Sequence, residues 1–162
     1  MKKKYLYIML CVLLFILLDQ VVKSLVVNLY DVGEASVVIN NFFKIYYIRN
    51  YGAAFGIFSS NILLLIGITC VMIYYIIIEI KNNIGNRLSI FSLILILSGA
   101  IGNLIDRVFR GYVVDFLSFT LLRKEMPIFN VADMFITIGV FLLIYSILRD
   151  GSYDGNSNKR RR

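Results

Sequence analysis

The sequence predicts an all-α membrane protein, four transmembrane helices with a small extracytoplasmic β-sheet, and three observations carry that expectation. Of 162 residues, 59% are hydrophobic and the mean hydropathy is +0.79, well above the ~45–50% apolar content of a soluble globular domain. Four runs, residues 5–27, 61–80, 88–106 and 130–148, approach the ~20 apolar residues a helix needs to cross a hydrocarbon core. Ten of the 17 basic residues flank these runs on alternate connections, the asymmetry that orients a multi-pass chain.

The first run, "MKKKYLYIMLCVLLFILL", has the basic start and apolar middle of a secretory signal peptide. No small-x-small cleavage site follows; "DQVVKSLVV" and three more apolar spans do, so a retained helix is expected. Lys2, Lys3 and Lys4 precede it, Lys81 and Arg87 lie between the second and third spans, and Arg149, Lys159, Arg160, Arg161 and Arg162 follow the fourth. Short cytoplasmic loops are enriched in Lys and Arg, so both termini and the 81–87 loop are expected in the cytoplasm, with residues 28–60 and 107–129 outside. Residues 1–150 read as one domain, and the polar tail 151–162 as disordered. Its "NSNKRRR" suits membrane topology or anionic lipid better than nucleic acid, for which no folded basic module is present.

Outside the membrane, residues 35–49 ("ASVVINNFFKIYYIR") have the β-branched and aromatic content of short strands broken by a turn-like Asn-Asn. Phe42, Phe43, Tyr46 and Tyr47 would suit a sheet at the membrane interface. In the following "NYGAAFG", Gly52 and Gly56 permit close backbone approach. Cys11 and Cys70 sit inside apolar runs as small hydrophobes, with no disulfide framework or metal spacing.

Ionisable side chains at membrane depth are costly and usually line a cavity or site. Asp19 and Lys23 are four apart and share a helix face. Asn103, Asp106 and Arg107 form a second polar group beyond Gly99 and Gly102, which suit close helix packing. Asn130 and Asp133 form a third, and Asp115 in "YVVDF" adds a carboxylate in an apolar setting. A structural reading stands beside the functional one. Asn130 and Asp133 can cap the fourth helix, Asp19 and Lys23 can be a plain ion pair, and Asp106 with Arg107 can anchor the interface. With no His in the chain, the usual general base and commonest zinc ligand are absent. Ser24 adjoins Lys23, but neighbours point to different helix faces, so a Ser-Lys nucleophile is not built by spacing. Asp115 and Asp133 remain the strongest reagent: two carboxylates sharing one proton can activate water on a peptide bond, provided no Lys or Arg holds Asp133 ionised.

Five blocks carry a resemblance to a known family: "DQVVK", "NYGAAFG", "SGAIGNLIDR", "VVDF" and "FNVAD". In order and spacing they resemble bacterial lipoprotein signal peptidase, or signal peptidase II. Ser98 stands where that family commonly has the first of two glycines, and a hydroxyl still permits close packing. The resemblance implies a catalytic dyad of Asp115 and Asp133, with Asp19, Lys23, Asn50, Gly52, Asn103, Arg107 and Asn130 supporting the site or contacting substrate. It implies an intramembrane aspartyl endopeptidase in the bacterial cytoplasmic membrane, its site near the outer surface. Such an enzyme cuts prolipoproteins just before a diacylglyceryl-modified cysteine, needs no metal or organic cofactor, and is inhibited by globomycin-type peptides. It also implies an extracytoplasmic β-cradle and a short outer helix. The expected partners are the lipidated precursor and membrane lipid, with no nucleic acid, and the chain is expected to act as a monomer. A proton relay or transporter would use the same residue types but distribute them through the depth of the spans. An assembly protein would tolerate loss of either aspartate.

Overall fold

The computed structural model describes residues 2–52 and 61–159. Its elements run α1 (Lys2–Leu29), β1 (Ala35–Ile39), β2 (Phe43–Asn50), α2 (Ile62–Asn82), α3 (Arg87–Phe109), β3 (Val113–Leu121), β4 (Lys124–Glu125) and α4 (Val131–Lys159). All four helices are long and apolar enough to cross a membrane, and each coincides with one of the expected spans. Gly56 lies outside the described residues. Among those described there is no short outer helix beyond the four.

α3 is the hub of the bundle, packing on α1, α2 and α4. Its buried face includes Leu93, Ile94, Ile96 and Leu97, which pack with Ile8 and Val12 of α1 and with Ile76 and Ile80 of α2. The outward faces of α1, α2 and α4 stay apolar, with Leu29, Leu63 and Phe141 among many exposed large side chains. Lipid tails are as apolar as these side chains, so helices associate through close packing rather than through hiding Leu and Phe from water. Gly99 supplies such packing: a Cβ there would collide with the Ala132 carbonyl oxygen and with Ile136 Cγ1 of α4. Asn86 caps α3 by accepting from the backbone N–H of Leu88 and Ser89 at 3.1 and 3.2 Å. At that same end Ser89 and Ser146 hydroxyls meet at 2.9 Å.

The sheet is antiparallel in the order β1-β2-β3-β4. β1 and β2 turn at the expected Asn-Asn, where Asn41 adopts φ 57°, a left-handed conformation asparagine tolerates better than most residues. The register shifts between Ile45 and Ile48 of β2, after which Ile48 lies opposite Asp115 and Asn50 opposite Val113. An isolated bridge between Leu117 and Phe129 then draws the segment before α4 onto β3. Phe43, Phe119 and Phe129 stack along this seam, with ring centroids 4.7 and 5.7 Å apart. Tyr47, expected at the membrane interface, is instead 1% exposed and packs with Val26, Val114 and Phe116. It joins the sheet to α1.

α4 continues to Lys159. Extending a formed helix adds residues one at a time and avoids the unfavourable nucleation step, so a polar segment can follow an apolar helix into helical conformation.

Candidate active site

Asp115 lies near the start of β3, and burial leaves it 1% exposed. Asn50 at the end of β2 donates from Nδ2 to Asp115 Oδ2 at 2.8 Å. Asn130 donates from Nδ2 to Asp115 Oδ1 at 2.6 Å. Both carboxyl oxygens therefore have an amide partner, one from the end of β2 and one from the residue preceding α4. Asp133 begins α4, half-buried, and accepts at Oδ1 from Asn103 Nδ2 of α3 at 2.8 Å. Its backbone N–H donates to Asn130 Oδ1 at 3.0 Å, and its Oδ2 accepts from the Asn130 N–H at 3.3 Å. That reciprocal pair is a capping box. The capping role read from the sequence and the proximity to Asp115 are both present, since Asn130 serves them together.

Burial, then the negative charge of Asp133, push the Asp115 carboxyl up to about 7, against the opposing hydrogen bonds from Asn50 and Asn130 and the charge of Lys23. A carboxyl that titrates near neutrality can hold a proton while its neighbour is ionised, the division of labour an acid and a base need.

Behind the two aspartates lies a buried ion network. Lys23 Nζ sits 2.9 Å from Asp19 Oδ2 and 2.9 Å from Asp106 Oδ2, with all three side chains fully buried. Lys23 also donates to Asn103 Oδ1 at 2.9 Å. The expected Asp19–Lys23 pair is present. Asp106 is corrected: it is an internal group rather than an interface anchor, and its second partner is Arg110 Nε at 3.2 Å rather than Arg107. Residues four apart lie on one helix face and adjacent ones do not, which is why Arg110 reaches it. Gln20 joins the same network through Nε2, donating to Asp19 Oδ2 at 3.1 Å and Asp106 Oδ1 at 3.3 Å. Gly102 makes room for it, because a Cβ there would lie 2.6 Å from Asp19 Oδ2.

Arg107 donates weakly to the Gly52 carbonyl at 3.4 Å, while the Gly52 N–H is held by Asn50 Oδ1 at 2.9 Å. The Arg107 guanidinium lies within electrostatic reach of Asp133 and Asp115. The expectation that no cation approaches Asp133 is therefore corrected, although among the described residues no ion pair to Asp133 forms. One guanidinium serving two carboxyl groups leaves room for a shared proton where a dedicated pair would not.

All nine residues chosen from the sequence thus fall in one region at one end of the bundle. Of the network, Asp106 had been placed in the second polar group but not among the nine, and Gln20 and Arg110 were missed, although Gln20 stood in the quoted first block and Arg110 four residues beyond Asp106. Ser98 Oγ donates to the Ile94 carbonyl at 2.7 Å, and Ser24 Oγ accepts from Arg110 at 3.4 Å, so neither serine is bonded to Lys23. Among the described residues no three His, Cys, Asp or Glu side chains gather as a metal site. A groove of about 700 Å³ opens beside Asp133, walled by Leu117, Phe119, Phe129, Met134 and Ile138. Asp133 is the charged group in its wall.

The chain matches the family model described as Signal peptidase (SPase) II over residues 11–149. A protein named lipoprotein signal peptidase from Clostridium tetani is 44% identical over 148 residues, which are 88% of this chain and 93% of that protein. Another of that name, from Staphylococcus haemolyticus, is 40% identical over 94% of this chain and 98% of its own length. A bacterial membrane enzyme solved by the in meso method at 2.3 Å resolution superposes with TM-score 0.84 at 35% identity, covering 91% of this chain and 90% of that one. With its four membrane-spanning helices and the matched blocks converging on one polar site, this chain belongs to the signal peptidase II family.

Proposed function

We propose that the chain is an aspartyl endopeptidase that removes the signal peptide from diacylglyceryl-modified prolipoproteins, cutting immediately before the lipidated cysteine, with Asp115 and Asp133 as its catalytic dyad. The observation that carries this is the single side chain of Asn130, which bonds Asp115 at 2.6 Å and the Asp133 backbone at 3.0 Å. Two carboxyl groups from distant elements, a strand and a helix start, are tied through one residue beside an apolar groove.

Asp133 acts as the base and Asp115, whose carboxyl is pushed up to about 7, as the acid. Asp133 takes a proton from water as the water oxygen bonds to the scissile carbonyl carbon, and Asp115 gives its proton to the carbonyl oxygen. In the second half the C–N bond breaks, the amine leaves with the proton held by Asp133, and one hydroxyl of the tetrahedral species returns its proton to Asp115. No covalent enzyme intermediate forms. Asn50 and Asn130 hold Asp115, Asn103 holds Asp133, and Arg107 with Gly52 binds the substrate backbone. The dyad's proton belongs to the pair, so its apparent pKa values are properties of both carboxyls together.

A lipid-anchored cysteine presents its peptide bond at the bilayer surface, which a site at the outer helix ends meets without drawing acyl chains into water. The groove beside Asp133 takes the apolar flank of that substrate. The basic residues at both termini and in the 81–87 loop support cytoplasmic termini and an outward-facing site. Globomycin-type peptides inhibit by occupying the same site, and the chain acts as a monomer.

The test is cleavage of a diacylglyceryl-modified precursor peptide and its unlipidated twin by purified protein in detergent or lipid. The lipidated peptide is expected to be cut before its cysteine, with the twin a much poorer substrate. Equal turnover of both removes the lipid from the recognition, and turnover of neither removes the assignment.

A further inference from the structure

We propose that Asp106 and Asp19 are positioning residues for the dyad, each holding the backbone N–H of the residue just before one catalytic aspartate, with Lys23 tying the two holders together. The inference rests on the dyad reading above. Asp106 Oδ2 accepts from the Val114 N–H at 3.2 Å, and Asp115 follows. Asp19 Oδ1 accepts from the Ala132 N–H at 2.9 Å, and Asp133 follows. Val114 and Ala132 are both fully buried. The same Lys23 Nζ then sits 2.9 Å from each of the two carboxylates. β3 and the start of α4 are thereby referred to a single cation on α1.

Lys23 also sets the direction of the amides between the aspartates. An ammonium has only donors, so Asn103 must turn Oδ1 toward it, as it does at 2.9 Å. Asn103 Nδ2 is then left for Asp133 Oδ1 at 2.8 Å. Asn130 Nδ2 donates to the same Asn103 oxygen at 3.2 Å and to Asp115 at 2.6 Å. Both dyad carboxyls thus receive N–H groups whose orientation traces back to Lys23. Gln20 braces the two holders from the side.

Charge balance makes this testable. Lys23, Asp19 and Asp106 are fully buried, whereas Arg110 retains 24% exposure. Neutralising Asp106 leaves the Lys23–Asp19 pair balanced and lets Arg110 turn to water. An Asp106→Asn protein is therefore expected to fold and to keep an oxygen for the Val114 N–H. Asp106→Ala removes both the charge and the acceptor.

The experiment compares wild type, Asp106→Asn, Asp106→Ala, Asp115→Asn, Asp133→Asn and Ile8→Ala as full chains in detergent, reading kcat, KM and Tm on the lipidated precursor peptide. Asp106→Asn keeps the bond to the Val114 N–H but turns a charged acceptor into a neutral one, and the weaker hold gives ~3–10-fold lower kcat. A shifted strand gives Asp106→Ala ~100-fold, the scale of a 1 Å misplacement at a reacting centre. KM stays within ~2-fold in both, because the substrate-binding groups are untouched. Ile8→Ala, at the far end of α1, is expected to lower Tm without changing kcat.

Wild-type kcat in Asp106→Asn overturns the proposal. So does an Asp106→Ala whose loss lies in KM, or whose kcat equals that of Asp106→Asn. If Asp106→Ala does not fold, the kcat of Asp106→Asn decides alone. Should Asp115→Asn or Asp133→Asn retain cleavage, the dyad reading falls and this inference with it. Should both lose cleavage while Asp106→Asn turns over like wild type, only this inference falls.

Discussion

Replacing Asn130 by Ala removes three hydrogen bonds at once: the donations to Asp115 at 2.6 Å and Asn103 at 3.2 Å, and the acceptance from the Asp133 N–H at 3.0 Å. Each is worth ~0.5–1.5 kcal/mol net, so the folded protein is expected to lose ~3 kcal/mol, part of it as the lost helix cap. Two of the three bonds hold dyad residues, and losing ~2 kcal/mol of their orientation in the transition state lowers kcat ~30-fold. The pH dependence moves in a defined direction. The Asn130 N–H favours the ionised form of Asp115 and so opposes the rise of its carboxyl to about 7. Without it the carboxyl titrates higher, and the alkaline limb of the pH–rate profile shifts to higher pH. The assay is kcat against pH with the lipidated precursor peptide, for wild type and variant side by side. An alkaline limb that stays in place, or moves down, refutes the assignment of Asn130 as the group that ties the two carboxyls. So does a kcat within threefold of wild type.

Further outcomes are as definite. Asp115 has its carboxyl raised from 3.8 to about 7, so the fold favours its neutral form. Its contribution to stability is full below pH ~4 and is lost as pH rises through ~7, on the order of 4 kcal/mol. The Tm of wild type in detergent should therefore fall between pH 5 and pH 8, and Asp115→Asn should show a smaller fall. Gly102→Ala places a Cβ 2.6 Å from Asp19 Oδ2, a carboxylate clamped by Lys23 and the Ala132 N–H. That overpacking costs ~1–3 kcal/mol and should reduce both Tm and kcat. Ser89→Ala breaks the 2.9 Å bond to Ser146 at the opposite end of the bundle and should cost ~1 kcal/mol of stability with kcat unchanged. Lys44→Ala breaks a surface pair with Glu125, whose side chains are 25% and 67% exposed, and should alter neither stability nor turnover measurably.

Helical spans were legible because the bilayer demands long apolar runs, and the polar exceptions stood out against them. Asp19 and Lys23 could be paired from spacing alone, since four residues span one helical turn. The same spacing joins Asp106 to Arg110, but Arg110 lies past the end of the apolar run and outside the quoted blocks. β3 was harder to read. "YVVDFLSFTL" has the β-branched and aromatic content of a strand, but its pairing with β2 depends on a register shift between Ile45 and Ile48 that no local pattern announces. That shift puts Asn50 beside Asp115. Tyr47 looked like an interfacial aromatic and became a buried joint, because its environment is made by α1 and β3 rather than by its neighbours in sequence. The convergence of Asp115 with Asp133 follows from the bridge between Leu117 and Phe129, a tertiary contact. Elimination of other reagents offered the pair, and the five-block resemblance implied it, but no spacing or periodicity brings the two residues together.

The most direct measurement is the turnover of Asp115→Asn and Asp133→Asn proteins on the lipidated precursor peptide, alongside their affinity for it. If the two carboxyls divide one proton between acid and base, each variant binds the peptide like wild type while kcat falls by ~10³ or more. Either variant that binds normally and turns over within tenfold of wild type would show that water is activated without the pair.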